Sequence, residues 1–211
     1  MKIENYENIF WDFDGVIKDS LSIKTEAFYS LFIEFGRDVA KKIKKHHIQN
    51  SGISRFDKIP LYLEWSNQDT SGKNVSLYLN RFKDLVVHKV IESPWVKGAE
   101  EYLNLNSFNQ RFFIVTATPQ EEIEYILEKL NIIHLFFDIK GSPNTKAFSI
   151  DQSIKGYNLK RKKCLMIGDA KADLNAACKN EIDFFLRIHE ENENIKGEKG
   201  IKAIISNIGE L

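Results

Sequence analysis

The sequence has little of what marks secreted, thiolate-metal or membrane proteins. It holds two cysteines and four prolines in 211 residues. Cys164 and Cys178 lack the paired spacing of a zinc site or a disulfide framework, which favours a reducing, cytoplasmic setting. No apolar run approaches the roughly 18 residues that a membrane span needs. The first residues, MKIENYENIF, carry acids where a signal peptide would be basic, so we expect a protein that is neither exported nor membrane-bound.

An excess of charge of either sign is also lacking. Thirty basic and thirty acidic residues cancel, and a neutral chain has no overall field to attract nucleic acid or a lipid surface. The hydrophobic fraction of 43% is enough for a sizeable buried core. We therefore expect a small-molecule partner, and the oligomeric state stays open.

Six short segments rich in Ile, Val, Phe or Leu are predicted to be strands. Most are apolar on both faces, which is typical of a parallel sheet covered by helices on each side. They are IFWDF from Ile9, FFIVTA from Phe112, HLFFDIKG from His134, KCLMIGDA from Lys163, IDFFLRI from Ile182 and IKAIIS from Ile201.

Helical patterns lie between the later strands. The segment TPQEEIEYILEKL starts with Thr118, Pro119 and Glu121, which predict an N-cap, a first-turn proline and a capping box. The segment DLNAACKN after Asp169 has the same helical character. Strands that alternate with helices predict an α/β fold with a doubly wound, Rossmann-like parallel sheet.

Residues 17–92 depart from this alternation. Four helical segments follow one another there: LSIKTEAFYSLFIEFG, DVAKKIKKHH, SRFDKIPLYLEW and VSLYLNRFKDLVVHKVIE. We interpret residues 17–92 as an inserted all-helical domain, the cap, and residues 1–16 with 93–211 as the α/β core domain. His46 and His47 are expected to be cations at a helix C-terminus, and HEENENIKGEKG near the end is expected to be a solvated loop.

Polar residues stand where four of the predicted strands end, which is where open parallel sheets bind ligands. They are Asp12 and Asp14, Thr116, Lys146 in the loop after the third strand, and Asp169 with Asp173. Side chains two apart in an extended segment share a side. At about 6 Å and an effective dielectric of about 20, two such carboxylates repel by on the order of 3 kcal/mol. Oxygen ligands without His or Cys point to Mg²⁺ as the ion that offsets this repulsion.

Four motifs carry a family resemblance: DFDGVIKDS, FIVTATP, GSPNTK and IGDAKAD, in this order. They resemble the motifs of the haloacid dehalogenase superfamily, and the inserted helices are similar to its C1-type cap. The resemblance covers nearly the whole chain. Within the superfamily, the chain most resembles phosphoglycolate phosphatases and β-phosphoglucomutases. It implies a Mg²⁺-dependent phosphatase that hydrolyses a small phosphorylated metabolite, such as a sugar phosphate or a phosphoglycolate-like acid, through an aspartyl-phosphate.

The resemblance also implies roles for individual residues. Asp12 is the expected nucleophile, and Asp14 the acid and base that serves the leaving group and then the attacking water. Thr116, with the backbone N–H of Ala117, is expected to hold a phosphoryl oxygen. Lys146 is expected to neutralise charge on the transferred group.

The same resemblance implies the metal ligands. They are the Asp12 carboxylate, the backbone carbonyl of Asp14 and the carboxylate of Asp169. Asp173 is either a further ligand or a support for the others. An acid at position 14 sets dehalogenation aside, because only a poor leaving group needs a proton.

The cap is expected to set the substrate. SGISRFDKI resembles a specificity loop in which Gly52, Ser54 and Arg55 meet a polar group of the substrate. The plain alternative is that Ser54 only caps a helix and Arg55 is solvated. Lys24, where β-phosphoglucomutases carry a histidine, either points at the site or decorates its helix.

Three other functions remain alternatives. A β-phosphoglucomutase-like mutase is disfavoured by Lys24. A phosphonate-cleaving enzyme with a Schiff-base lysine in the cap lacks support, since nothing in the sequence marks such a lysine as desolvated. A noncatalytic binding module would have little reason to keep all of the strand-end residues.

Overall fold

A computed structural model describes residues 2–211 and contains one six-stranded sheet. All neighbouring strands are parallel, in the order β3-β2-β1-β4-β5-β6. The strands are β1 Asn8–Trp11, β2 Arg111–Pro119, β3 Phe136–Ser142, β4 Cys164–Gly168, β5 Asp183–Arg187 and β6 Ile201–Ile205. Each predicted strand is present, and the doubly wound α/β fold is confirmed.

Eight α-helices accompany the sheet in the described part of the chain. They are α1 Leu21–Phe32, α2 Arg37–Gln49, α3 Arg55–Trp65, α4 Gly72–Glu92, α5 Ala99–Leu105, α6 Gln120–Lys129, α7 Lys146–Gly156 and α8 Lys171–Lys179. The first four lie between β1 and β2 and correspond to the four helical segments of the cap. The sequence patterns predicted neither α5 nor α7. Lys146, predicted in a loop, is instead the first residue of α7, where the Thr145 hydroxyl accepts from Phe148 N–H.

The centre of the sheet explains why its strands are apolar on both faces. Successive residues of β1 point to opposite sides, and both sides are buried under helices. Phe10 packs on Phe113 on one face, with ring centroids 4.9 Å apart. Trp11 packs on Phe112 on the other face at 5.7 Å. Burial of each such side chain stabilises the fold by about 1.5–3 kcal/mol. This packing holds β1 in place between β2 and β4.

Two short segments connect the cap helices to the sheet. Asp19 N–H donates to Pro94 O at 2.8 Å, and Val96 N–H donates to Ile17 O at 2.9 Å. The outgoing and returning chains therefore run side by side next to the carboxyl end of β1. The assignment of residues 17–92 to a separate domain stays a prediction. The chain does enter and leave these helices through this single pair of segments.

Candidate active site

Asp12 follows the last residue of β1 and is buried. Its N–H still donates to Ile167 O in β4 at 3.0 Å, so the sheet holds its backbone. Of its carboxylate oxygens, Oδ1 accepts from Phe13 N–H at 2.8 Å and Oδ2 faces Lys146 Nζ at 2.7 Å. The carboxylate is thus fixed beside a cation in a buried site.

Asp12 lies in a group of three buried carboxylates, the acid cluster, with Asp169 and Asp173. One oxygen from each lies within 4.8 Å of the others. Burial raises the pKa of Asp12 to about 7, and the charge of Asp173 adds to this. Burial also raises the pKa values of Asp169 and Asp173. Lys146 alone does not neutralise three carboxylates, and an oxygen-only donor set of this kind suits a hard divalent cation.

The acid cluster is brought together by a close turn at Gly15. Gly15 has a φ of +77°, a conformation that favours glycine. A Cβ at this position would lie 2.6 Å from Asp169 Oδ2, which is too close for any other residue. The turn that carries the chain out of the sheet therefore also lets the β4 acid approach the end of β1.

The other acids around the cluster have different environments. Asp173 is fully engaged, because Oδ1 lies 2.5 Å from Lys146 Nζ and Oδ2 accepts from Ala170 N–H at 3.0 Å. Asp173 therefore positions Lys146 beside Asp12, and its alternative role as a direct metal ligand stays a prediction. The carbonyl oxygen of Asp14 accepts no hydrogen bond within residues 2–211, so it is available to a metal.

The Asp14 carboxylate is held apart from the acid cluster by its own partners. Ser20 donates to Oδ1 at 2.6 Å, Thr118 donates to Oδ2 at 3.0 Å, and Lys24 forms an ion pair with Oδ2. Burial by itself would raise the pKa of Asp14, but the Lys24 charge and these hydrogen bonds together lower it. In this arrangement Asp14 is ionised and suited to accept a proton.

Thr118 on β2 and Lys24 on α1 both contact Asp14, which the sequence did not predict for Thr118 and left open for Lys24. Thr118 is not an N-cap: β2 continues to Pro119, which itself occupies the N-cap position of α6, and the Thr118 hydroxyl is used by Asp14. Lys24 does not decorate the surface of its helix, since its Nζ also donates to Thr118 Oγ1 at 2.8 Å. The cap thus contributes a cation to the site.

Thr116 and Ala117 form the part of the site that lies on β2. Thr116 is buried, and its Oγ1 accepts from Thr118 N–H at 3.2 Å. The carbonyl of Ala117 accepts from Ser142 Oγ at 2.9 Å, which holds this part of β2 against the end of β3. Both residues line the same cavity as Asp12.

The specificity-loop residues make cap-to-core contacts. Arg55 is buried and binds the Glu122 carboxylate on α6 in a bidentate ion pair, at 2.6 and 2.9 Å. A Cβ on Gly52 would lie 2.9 Å from the Ala170 Cβ, so this loop sits directly on the core. Ser54 caps α3 by accepting from Phe56 N–H at 3.3 Å. The plain alternative is therefore right for the Ser54 cap and wrong for a solvated Arg55.

Replacement of Glu122 by glutamine is expected to destabilise the protein, because Arg55 would be left buried without a counter-charge. Breaking a buried pair costs about 3–5 kcal/mol. For a chain of this size, each kcal/mol lowers the Tm by about 2–4 °C. Thermal unfolding should show a drop well above that of Glu121→Gln, the exposed neighbour on the same helix. Equal Tm values for the two variants would mean that the ion pair does not stabilise the folded protein.

Sequence reasoning missed two residues after β5. His189 Nε2 lies 3.0 Å from Asp169 Oδ2, and Asn192 Nδ2 donates to Asp169 O at 2.7 Å. The prediction of a solvated loop is wrong for this stretch, because Glu190–Ile195 forms a 3₁₀ helix in which Asn192 and Ile195 are buried. The strand-end rule, applied to β5 as it was to β1, would have indicated His189.

The histidine pair of α2 also differs from expectation. Burial lowers the pKa of His46, and it lowers the pKa of buried His47 well below its usual value. Neither is the predicted cation. His47 Nδ1 instead lies 3.0 Å from Nζ of Lys58, a buried lysine of α3.

Cap and core enclose a cavity of about 50 Å³ at this edge of the sheet. A second cavity of about 320 Å³ between cap and core adjoins it at Gly52, Ala117 and Lys146. The smaller cavity has room for a few water molecules or a group the size of a phosphoryl. Its polar lining comes from the core residues Asp12, Asp14, Thr116, Lys146 and Asp169 and from the cap residues Lys24, His47, Gly52, Arg55 and Lys58. These carboxylates and cations thus face one small volume.

The model of one family, haloacid dehalogenase-like hydrolase, matches residues 9–186. The chain belongs to this family. The match starts in β1 and ends in β5, so it includes each strand end that contributes to the cavity. The family resemblance of the four motifs is therefore confirmed.

Named relatives and solved structures agree with this assignment. A phosphorylated carbohydrates phosphatase of Thermotoga maritima is 22% identical over 180 residues, covering 81% of this chain and 80% of the relative. A phosphoglycolate phosphatase of Colwellia psychrerythraea is 25% identical over 194 residues, covering 87% and 84%. A β-phosphoglucomutase structure from Clostridium difficile has a TM-score of 0.77 at 23% identity, covering 98% and 93%. At that identity the structural match shows the fold alone.

None of the helices among residues 2–211 is long and apolar enough to cross a bilayer.

Proposed function

We propose that the protein is a Mg²⁺-dependent phosphatase that hydrolyses a small phosphorylated metabolite through an aspartyl-phosphate on Asp12. The observation that carries the proposal is the buried Asp12 carboxylate, 2.7 Å from Lys146 Nζ, in a cluster of three acids beside a separately held Asp14. The two relatives named as phosphatases of phosphorylated carbohydrates and phosphoglycolate support the substrate class.

In the first half of the proposed reaction, an Asp12 oxygen attacks phosphorus and the bond to the leaving oxygen breaks. Lys146 offsets the charge that gathers on the phosphoryl oxygens, and Thr116 with the Ala117 N–H holds one of them. The leaving oxygen takes a proton from Asp14. Asp14 has to be protonated for this step, so Lys24 has to turn from it, as its flexible stem permits when an anionic substrate enters.

In the second half, water attacks the phosphorus of the aspartyl-phosphate and Asp14 takes the proton. Inorganic phosphate leaves and the Asp12 carboxylate is restored. Asp14 has by then given its proton to the leaving oxygen, and its ion pair with Lys24 and two hydroxyl donors favour the ionised form that this base role needs. General acid–base catalysis of this kind contributes about 10²- to 10⁴-fold.

Asp12, Asp169 and the Asp14 carbonyl would hold the Mg²⁺, with Asp173 and His189 as supports. The metal would supply Lewis-acid neutralisation of the phosphoryl oxygens. Its charge would also offset the mutual repulsion of the acid cluster, which Lys146 compensates only in part.

Hydrolysis is preferred to phosphoryl transfer between sugar positions. Lys24 occupies the position at which the resembling mutases have a histidine, and its ion pair with Asp14 favours the base form that activates water. A noncatalytic module is disfavoured because the buried charges of the acid cluster are costly to keep without use.

The proposal is tested by incubating the purified protein with a panel of small phosphate esters, with Mg²⁺ or with a chelator, and measuring released phosphate. Release that needs Mg²⁺ is expected from at least one ester. Isomerised product without free phosphate, from a hexose 1-phosphate with a trace of bisphosphate, would establish the mutase instead. No turnover of any ester would contradict both enzymatic functions.

A further inference from the structure

The cations that line the smaller cavity are paired with carboxylates, with one exception. Three cations have carboxylate partners: Lys24 with Asp14, Arg55 with Glu122, and Lys146 with Asp12 and Asp173. Within residues 2–211, Lys58 lines the cavity without an ion pair. Its one polar contact in that range is His47 Nδ1 at 3.0 Å.

Lys58 is strongly desolvated. It is 2% exposed, and the ring of Phe28 lies 5.9 Å from its Nζ. Burial lowers the pKa of Lys58 to about 7, and the charge of Lys24 lowers it further. Of the other groups that face it, Lys146 on α7 acts in the same direction, Asp57 on α3 opposes it, and His47 on α2 is neutral.

An uncompensated lysine in such a place is costly. A buried ammonium without a counter-ion loses its hydration and gains nothing in return. Groups of this kind concentrate at functional sites, where the missing partner is the ligand. Lys58 is a cation, so the partner that it lacks is an anion. The carboxylates of Asp12, Asp14 and Glu122 are already paired with the other cations of the cavity.

We propose that Lys58 binds a second anionic group of the substrate, a carboxylate or a phosphate, in addition to the phosphoryl group that reacts. This inference rests on the proposed function and names the substrate class within it. The reacting phosphoryl has its own partners on the core, at Asp12, Thr116 and Lys146. Lys58 comes from the cap helix α3, and Arg55 three residues before it is occupied by Glu122.

The space around Lys58 admits either kind of doubly anionic substrate. The cavity that Lys58 lines is about 50 Å³, and the cavity that adjoins it at Gly52, Ala117 and Lys146 is about 320 Å³. Binding of the anion restores the charge of Lys58 by supplying the counter-ion that the protein lacks.

The test compares matched substrates on the wild type, Lys58→Gln and Lys58→Arg. One pair is 2-phosphoglycolate and ethyl phosphate, which differ in the carboxylate. The other pair is glucose 1,6-bisphosphate and glucose 1-phosphate, which differ in the second phosphate. For the preferred doubly anionic substrate, Lys58→Gln should raise KM by about 10- to 100-fold, as expected for a hydrogen bond between charged groups. Lys58→Arg should recover part of that loss.

The singly anionic member of each pair should keep its kcat/KM in Lys58→Gln. Lys45→Gln, at an exposed lysine of α2, should leave all four substrates unchanged. Equal losses on both members of a pair would place Lys58 on the reacting phosphoryl, and no loss on either would remove it from substrate binding. Both results overturn the proposal, as does a covalent imine between Lys58 and an aldehyde-bearing phosphate that borohydride reduces.

A binding measurement separates this proposal from the proposed function. Calorimetry with 2-phosphoglycolate and with glucose 1,6-bisphosphate on Asp12→Asn, alone and combined with Lys58→Gln, needs no turnover. A Lys58-dependent affinity of Asp12→Asn, together with a wild type that releases no phosphate from any ester, would uphold the anion site and contradict the phosphatase. Phosphate release by the wild type, with the same affinity in both Asp12→Asn variants, would do the reverse.

Discussion

Replacement of Asp12 by asparagine is expected to lower phosphate release by about 10⁴-fold or more, the scale seen when an enzyme loses its nucleophile. Asparagine has the same shape and can still accept from Phe13 N–H through its amide oxygen. It lacks the negative oxygen that attacks phosphorus. The measurement is phosphate release with Mg²⁺ from the best substrate of the panel.

Stability separates this loss from unfolding. The variant removes one of three buried carboxylates whose pKa values burial has raised, so the metal-free Tm at pH 8 should stay equal or rise. Asp19→Asn is the matched control, since Asp19 is exposed and lies close by in the chain. Wild-type turnover by Asp12→Asn would exclude Asp12 as the nucleophile.

Removal of Mg²⁺ is expected to have the second large effect, on activity and on stability together. With chelator, phosphate release should fall to background. At a Mg²⁺ concentration of about 100 times its Kd, binding stabilises the folded state by about 2.7 kcal/mol. Differential scanning fluorimetry should therefore show a Tm higher by several degrees, on the order of 5–10 °C.

The size of that shift should depend on pH. Burial raises the pKa of Asp12 from 3.8 to about 7, so the folded metal-free protein binds more protons than the unfolded chain between these values. Stability is therefore lost as the pH rises through this window. Mg²⁺ replaces the lost protons, so its effect on Tm should be larger at pH 8 than at pH 5.5. A shift of equal size at both pH values would show that the metal does not bind the acid cluster.

Much of the site could be predicted from the chain because strand ends are local features. Asp12 follows an apolar run, and Asp169 follows another, so their meeting needs only the rule for parallel sheets. The glycine after Asp14 indicated the turn, and the structure adds the reason, a 2.6 Å approach to Asp169. The same rule placed Thr116 and Lys146, although Lys146 starts a helix.

The contacts between cap and core could not be predicted, because they depend on how two bodies pack. Arg55 resembles a substrate-binding residue in sequence, and only the position of α6 shows that Glu122 occupies it. Thr118 has the pattern of an N-cap, but the two further residues of β2 turn its hydroxyl to Asp14. Local propensity was overridden in each case by a partner distant in the chain.

Lys58 was hidden for another reason. In the sequence it is one of many lysines, and a lysine in a first helical turn is usually solvated. The one available signal was its spacing of three from Arg55, which puts both on one helix face. Its desolvation and its lack of a carboxylate partner are visible only with the cap in place over the sheet.

Chemical trapping of Asp12 tests the proposed reaction most directly. The protein is mixed with its best substrate and Mg²⁺, quenched in acid during turnover and treated with borohydride, which reduces an aspartyl-phosphate to homoserine with loss of phosphate. Peptide mass spectrometry should then find homoserine at position 12 in the wild type and none in Asp12→Asn. Homoserine at Asp14, Asp169 or Asp173, or no reduced residue in a protein that is releasing phosphate, would contradict an aspartyl-phosphate at the end of β1.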